Sequence, residues 1–335
     1  MTDFTQQKSP PRQSRIADVF LTALSSFPLA KVASSRDPIV LLYHGVPRVP
    51  SNGEVHARVL EDHVRFLTNR FEVVGIERDS PRKRLEKQRV VLTFDDGFRN
   101  NAEVAAPILR RYKAPAVFFV CSRHAEEKNF LWVSYIDALA RFYRWPDLRF
   151  RGERFDMRWA RRRDSVERIR SILRKELPHP SGAYMAIREE LPELNEFVTD
   201  QCFRDRYAGM TAEQLGERAA NPLFEIGSHT ADHPFLEDCT DAEMNAQIAS
   251  NLAFIEAATG EKCRTIAYPS GSYDQRVLEM CERLDLSSGY AVTPKVGRNP
   301  RFEIPRLGVY NPSQAILGFK VQWGNHLRAA RIAVG

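Results

Sequence analysis

The sequence predicts an α/β protein, a parallel sheet wrapped by helices, and three observations carry that prediction. Short runs rich in Val, Ile, Leu and Phe alternate with segments of helical spacing, and the links between them are short. The runs are apolar at consecutive positions, as in strands buried on both faces. At 335 residues the chain has length for one large α/β barrel or two ordinary domains, and 43% apolar with 27% charged residues is a globular composition.

Residues 1–36 are polar and punctuated by Pro and Ser, which marks them as a leader ahead of one folded domain at 37–335. Within the leader, VFLTALSSFPLA (19–30) comes nearest to a signal h-region. Its Ser pair, its Pro and the lack of a clean cleavage site favour a short amphipathic helix or tether. No run approaches the roughly 18 apolar residues of a spanning helix. IVLLYHGV (39–46) reads as a buried strand ending in Tyr43-His44-Gly45, VLEDHVRFLTNRF (59–71) as a helix and EVVGI (72–76) as a short strand. VVLTF (90–94) is the next strand, NAEVAAPILRRYK (101–113) the next helix and AVFFV (116–120) the strand after it.

At about 125–220 the rhythm gives way to an Arg-rich, helix-patterned insertion that includes RWARRRDSVERIRSILRKEL. It resumes with FEIGSHT (224–230), a helix over 241–260, TIAYPSGSYD (265–274), a helix near QRVLEMCERL, and the strands YAVT and EIPRLGVY. The insertion reads as a lid or groove wall joining two elements near the catalytic face.

Net charge is +6, a modest excess for this length, and pI is about 9.1. The insertion's basic residues alternate with acids, which favours i,i+4 pairing on a solvated face over a nucleic-acid stripe. No nucleic-acid motif is present. Peripheral contact with a membrane stays open. The five cysteines (Cys121, Cys202, Cys239, Cys263, Cys281) are scattered and form no CxxC, so they suggest neither a disulfide framework nor a thiolate zinc site. They favour the cytoplasm over export.

VVLTFDDGF (90–98) ends a buried strand in two adjacent carboxylates, Asp95 and Asp96, before Gly97. A turn needs one Asp, and a second adds repulsion. Neighbouring strand residues point to opposite faces, so the two are not equivalent, and a turning backbone lets both flank one point. GSHTADHP (227–234) supplies His229 and His233 after another strand end. An i,i+4 pair on a helical turn sets two imidazoles on one side, a spacing that chelates a divalent ion. Two His and one Asp with positions left for water form a catalytic arrangement rather than a closed structural one.

TFDDG (93–97) with SHTADH (228–233) resembles the first two motifs of the polysaccharide deacetylases, carbohydrate esterase family 4 with the NodB homology fold. AYPSGSYD (267–274) resembles the third motif as it stands in the exopolysaccharide and poly-N-acetylglucosamine branch. The resemblance covers roughly 38–310. It implies a distorted (β/α) barrel, in keeping with motifs at the C-terminal ends of strands.

It also implies roles. Asp96, His229 and His233 would hold one divalent metal, Zn first, with Co, Ni or Fe also suited. Asp95 would be the general base that takes a proton from the attacking water. Tyr268, Pro269 and Gly271 would line the sugar groove, with the Tyr268 N–H at the oxyanion. Two departures stand out. The third motif has Ala267 where many members have Arg, and no Leu-x-His follows residue 290. Arg306 in IPRLGV is the candidate for the missing charge. His44 is the candidate acid, as in the branch whose acid sits at an N-terminal Tyr-His strand end. His326 is poorly placed for that role.

The reading is a hydrolase that removes N-acetyl groups from amino-sugar residues of a glycan. Its alternatives are a deacetylase or deformylase of a lipid-linked sugar, a hydrolase of a small cyclic amide, and a carbohydrate-binding pseudoenzyme. A base beside an intact ligand set argues against the last. Oligomeric state is not legible.

Overall fold

The aliphatic run Ile39–Tyr43 forms β1, and all five of its side chains are buried. Such a strand can stand only at the centre of a sheet covered on both sides. In the computed structural model, which describes residues 37–51, 53–76, 87–125, 129–175, 180–297 and 299–323, that sheet closes on itself. After β1 come α1 (Ala57–Arg70), β2 (Glu72–Val73), β3 (Arg89–Phe94), α2 (Ala106–Arg111), β4 (Ala116–Val120) and α3 (Ser122–Ala125). Then follow α4 (Trp132–Phe142), β5 (Asp147–Phe150), β6 (Glu153–Asp156), α5 (Trp159–Lys175), α6 (Pro180–Glu190) and α7 (Asp200–Arg206). The last group is α8 (Ala212–Ala219), β7 (Phe224–Ser228), α9 (Asp241–Thr259), β8 (Thr265–Ala267), α10 (Gln275–Arg283), β9 (Ser288–Ala291) and β10 (Ile304–Gly308).

Strands β1, β3, β4, β7, β8, β9 and β10 pair in parallel in that order, and β10 returns to β1, so seven strands make a closed (β/α) barrel. β2 adds two residues beside β3, shorter than the strand expected over 72–76, because its chain leaves the ladder after Val74.

Side-chain alternation sorts the core. Val40, Val91, Val117, Phe119, Ala267 and Tyr290 cluster inside the barrel. The intervening Ile39, Leu41, Val90, Leu92, Phe94, Ala116 and Phe118 pack outward with the apolar faces of α1 and α2. On β3 the inward set is Val91 and Thr93, and Asp95 continues it. The helix expected over 101–113 opens as a π-turn at Asn101–Ala105 before α2. Its Asn101 Nδ2 donates to the His44 carbonyl oxygen at 3.0 Å, and Asn100 Oδ1 accepts from the Val46 N–H at 2.7 Å. The two loops that carry His44 and Asp95 are thereby tied together.

The insertion differs from the expectation of helices alone. β5 and β6 form an antiparallel hairpin, with Leu148, Phe150 and Phe155 buried against Trp132, Tyr135, Val166, Ile169 and Leu173 in a core of their own. Its far boundary also lies earlier than residue 220. Leu215 of α8 is buried in the barrel's outer core, so 212–219 is a barrel helix. The expected leader at 1–36, His179 and His326 lie outside the described residues. All five cysteines are free. No helix among the described residues is long and apolar enough to cross a membrane.

Candidate metal and catalytic site

Asp95 leaves β3 on the barrel's inner face, and its N–H donates to the Tyr43 carbonyl oxygen at 2.9 Å. Asp96 then takes φ 73° and Gly97 φ 70°. Left-handed backbone costs a non-glycine residue of order 1–3 kcal/mol and concentrates at functional sites. At Gly97 a Cβ would also meet Val120 Cβ at 2.9 Å, so only glycine fits. Past this kink both carboxylates lie near one imidazole, with His229 Nε2 3.8 Å from Asp95 Oδ2 and 3.5 Å from Asp96 Oδ1. His124, fully buried, sets Nδ1 2.9 Å from the Asp96 carbonyl oxygen and Nε2 2.7 Å from that of Tyr207.

His229 follows β7 directly. Its N–H donates to the Val120 carbonyl oxygen at 2.9 Å and its Nδ1 lies 2.8 Å from that of Ala267. Donation by Nδ1–H leaves Nε2 as the free lone pair, the tautomer a metal ligand needs. That Nε2 lies 3.5 Å from Asp96 Oδ1, and His233 Nε2 lies 3.5 Å from the same oxygen.

The expected helical turn between the two histidines is absent. Thr230 (φ 65°) and His233 (φ 58°) fold the segment back as an irregular loop instead. Side-chain and backbone bonds hold that loop. Gln247 of α9 accepts from the Asp232 N–H at 2.9 Å and donates to Asp232 Oδ2 at 2.8 Å, while Arg123 pairs with the other Asp232 oxygen. From the insertion, Trp132 Nε1 donates to the His233 carbonyl oxygen at 3.0 Å and the Tyr184 hydroxyl to that of Asp232 at 3.4 Å.

These residues fit a divalent ion. The ligand atoms of Asp96, His229 and His233 lie within 4.8 Å of one another, and all three residues are buried. Asp96 Oδ1 is buried without a hydrogen-bond partner, and 3.5 Å is long for an N–H···O bond. A buried carboxylate oxygen facing two imidazole nitrogens at that distance is a donor set for a cation. Burial opposes ionisation of Asp96, but His229 and His233 outweigh it and hold the carboxyl well below its usual range. Burial lowers His233 to about 4, leaving its ring neutral.

Asp95 has a separate partner. Arg306, on β10 and fully buried, grips it with two bonds of 2.6 and 2.8 Å and reaches Thr93 Oγ1 at 3.4 Å. Burial again opposes the charged form, and Arg306 followed by His229 overcomes it, so the carboxyl is held below the usual range. Arg306 therefore supplies the charge beside Asp95, and it also borders the groove.

The two carboxylates open into a groove of about 620 Å³. His44, Gly271 and the backbone corner at Tyr268 line it from the barrel. Ser134, Asp137, Arg141, Arg170 and Arg206 line it from the insertion.

Two sequence expectations are corrected. The Tyr268 N–H donates to the Tyr290 carbonyl oxygen at 3.1 Å in the β8–β9 ladder, so it is spent on the sheet and does not face an oxyanion. The Tyr268 ring is buried against Tyr273 at 4.6 Å, with its hydroxyl on the Phe302 carbonyl oxygen. Pro269 is buried and does not line the groove.

The family model for polysaccharide deacetylases matches residues 82–171 and 195–289, more than half of the chain. The chain belongs to the polysaccharide deacetylase family. It is 20% identical over 262 residues to YxkH of Bacillus subtilis, whose name places it among polysaccharide deacetylases, covering 76% of this chain and 64% of that protein. A chitooligosaccharide deacetylase of Azorhizobium caulinodans is 30% identical over 131 residues, covering 38% of this chain and 60% of that one. The chain thus spans less than two thirds of the length of these relatives.

Among solved structures, the Streptococcus pyogenes deacetylase PplD in complex with acetate has a TM-score of 0.53 at 16% identity, covering 84% of this chain and 97% of that one. IcaB from Ammonifex degensii has a TM-score of 0.52 at 20% identity, covering 85% and 96%. Both likenesses are of fold.

Sequence reading missed the groove's aromatic rim. Tyr310 is 60% exposed, and its ring centroid lies 5.6 Å from that of His44. Tyr310 stands two residues beyond β10, a strand-end position like that of the catalytic candidates, and that placement was the available signal. Trp132 and Tyr184 were missed because nothing local marks a residue that braces a distant loop.

Proposed function

We propose that this chain is a metal-dependent hydrolase that removes N-acetyl groups from amino-sugar residues of a glycan. One observation carries the reading: two adjacent carboxylates are held differently, Asp96 facing His229 and His233 at 3.5 Å, and Asp95 gripped by Arg306 with His229 farther off at 3.8 Å. That division of labour suits acetamide hydrolysis, which needs an electrophile and a base at one point. A divalent ion held by Asp96, His229 and His233, Zn first with Co, Ni or Fe also suited, supplies Lewis acidity and water activation.

The chain's own residues account for the proton transfers. Asp95 is kept ionised by Arg306 and accepts a proton from the attacking water. The leaving group is an amine, which departs only when protonated. His44 lines the same groove, and imidazole is the side chain suited to proton donation near neutral pH. Tyr310 at the rim offers a ring face on which a pyranose can pack. The name of the Azorhizobium relative supports an N-acetylglucosamine-type oligomer as substrate.

The test is mass spectrometry of N-acetylated amino-sugar oligomers after incubation with metal-supplemented protein. Loss of acetyl-sized mass is expected from wild type. Asp95→Asn should keep the metal while turnover falls by about 10²–10⁴. A metal-loaded protein that releases acetate from none of these oligomers would overturn the reading.

A further inference from the structure

We propose that the start of α5, Trp159 with Arg161, Arg162 and Arg163, docks this protein onto an anionic lipid bilayer. The charge of the chain is segregated. Residues 144–175 hold twelve Arg and Lys against five Asp and Glu, an excess of seven, so the remainder of a chain with net charge +6 is close to neutral. Four of those five acids already have arginine partners: Asp147 with Arg154, Glu153 with Arg168, Asp156 with Arg158 and Glu167 with Arg170. Arg151 and Arg174 pair with acids outside this stretch, and three of the remaining basic residues, Arg161, Arg162 and Arg163, stand together on the first turns of α5 beside the fifth acid, Asp164.

Helix electrostatics run against that placement. The N-terminal end of a helix is its positive end and favours acids, yet the first turn of α5 has none and three arginines follow at once. Part of that cost is offset locally, since Arg161 faces the Asp156 carboxylate and Arg162 Nε donates to the Met157 carbonyl oxygen at 2.9 Å; a local rule broken at the surface is most often broken for function. Trp159 gives the second, independent observation. Val166, Ile169 and Leu173 form the buried stripe of α5, and Trp159 lies two turns earlier on that stripe yet is 88% exposed. An indole beside guanidinium groups is the chemistry of the headgroup layer, where the ring sits among acyl-chain ends and the charges meet anionic lipid.

Shape favours a bilayer over a bound glycan. None of residues 158–163 lines the catalytic groove or the cavity of about 770 Å³ inside the insertion, and an oligosaccharide needs a concave seat. Contact would be peripheral, since no described helix can span a membrane. Arg170, which lines the catalytic groove, lies eleven residues along the same helix from Trp159. That is about 16 Å of helix, so docking would bring the groove near the bilayer surface.

The experiment is co-sedimentation of the full chain with vesicles of phosphatidylcholine alone and of an equimolar mixture with phosphatidylserine. Binding is expected to the mixture only, and to weaken with added salt. Replacing Arg161, Arg162 and Arg163 together by Ser should lower partitioning by about 10²-fold. Trp159→Phe should abolish the blue shift of tryptophan emission on vesicle binding. Both variants should keep the wild-type melting temperature and turnover of a short soluble oligomer, so the outcome is separable from the deacetylase reading. Equal binding to both vesicle types, or variants that partition like wild type, would overturn the proposal. So would capture of duplex DNA without vesicle binding, which would make the surface a nucleic-acid contact.

Discussion

Asp95 and Arg306 show how much a single residue's role depends on a partner more than two hundred positions away. The pair is buried and bidentate, so removing the guanidinium would strand a charge and cost about 3–5 kcal/mol of stability. Arg306→Lys keeps the charge but loses the fork. Burial by itself raises the Asp95 pKa, and the Arg306 guanidinium does most to lower it. Weakening the pair therefore moves that pKa upward. A base works only when deprotonated, so the acidic limb of the kcat/KM profile should shift to higher pH in Arg306→Lys, with metal content unchanged. An unmoved limb would show that Arg306 does not tune the base. At this scale TFDDG and SHTADH were legible because the chemistry is written in neighbouring residues. The Tyr268 N–H was misread because its partner, Tyr290, is set by strand pairing, which no short motif displays.

At the scale of elements, the insertion does more than wall the groove. Trp132 at the start of α4 binds the His233 carbonyl oxygen through Nε1, and its own N–H donates to the Tyr184 hydroxyl at 3.3 Å. His233 sits at φ 58°, and the brace acts on its backbone, since the ring Nδ1 is buried without a hydrogen-bond partner. Trp132→Phe keeps most of the buried volume and deletes the donor. It should weaken metal affinity by up to about 10-fold, the low end of what an outer partner of a ligand is worth, because the bond holds the backbone and not the ring. Competition with a chromogenic chelator measures this without any turnover assay. Unchanged affinity would confine the insertion to substrate access. Barrel strands were legible because consecutive apolar residues mark two-sided burial. The β5–β6 hairpin was not, although Leu148, Phe150 and Phe155 point inward while Arg149 and Arg154 face out. Its turn is Arg151-Gly152, at φ 51° and 73°. Arginine there lacks the Asn-Gly or Asp-Gly signature that announces a hairpin, and the run of arginines read as helix.

For the whole molecule, closing seven parallel strands brings every strand's C-terminal end to one rim, so the three candidate ligands arrive from the turn after β3 and from the loop after β7, with β4 between them. The fold thus carries a cluster that lacks internal compensation: Asp96 Oδ1 is buried with no hydrogen bond. A cation bound there is linked to global folding, because the unfolded chain cannot assemble the three ligands. With free metal at about 1,000 times its dissociation constant the gain is about 4 kcal/mol, and for a domain of this size that corresponds to a shift on the order of 10 °C in melting midpoint. Calorimetry with and without a chelator should show that drop in wild type. His229→Ala should melt at the same temperature under both conditions. A chelator-induced drop in the variant equal to that of wild type would place the stabilising ion elsewhere on the molecule.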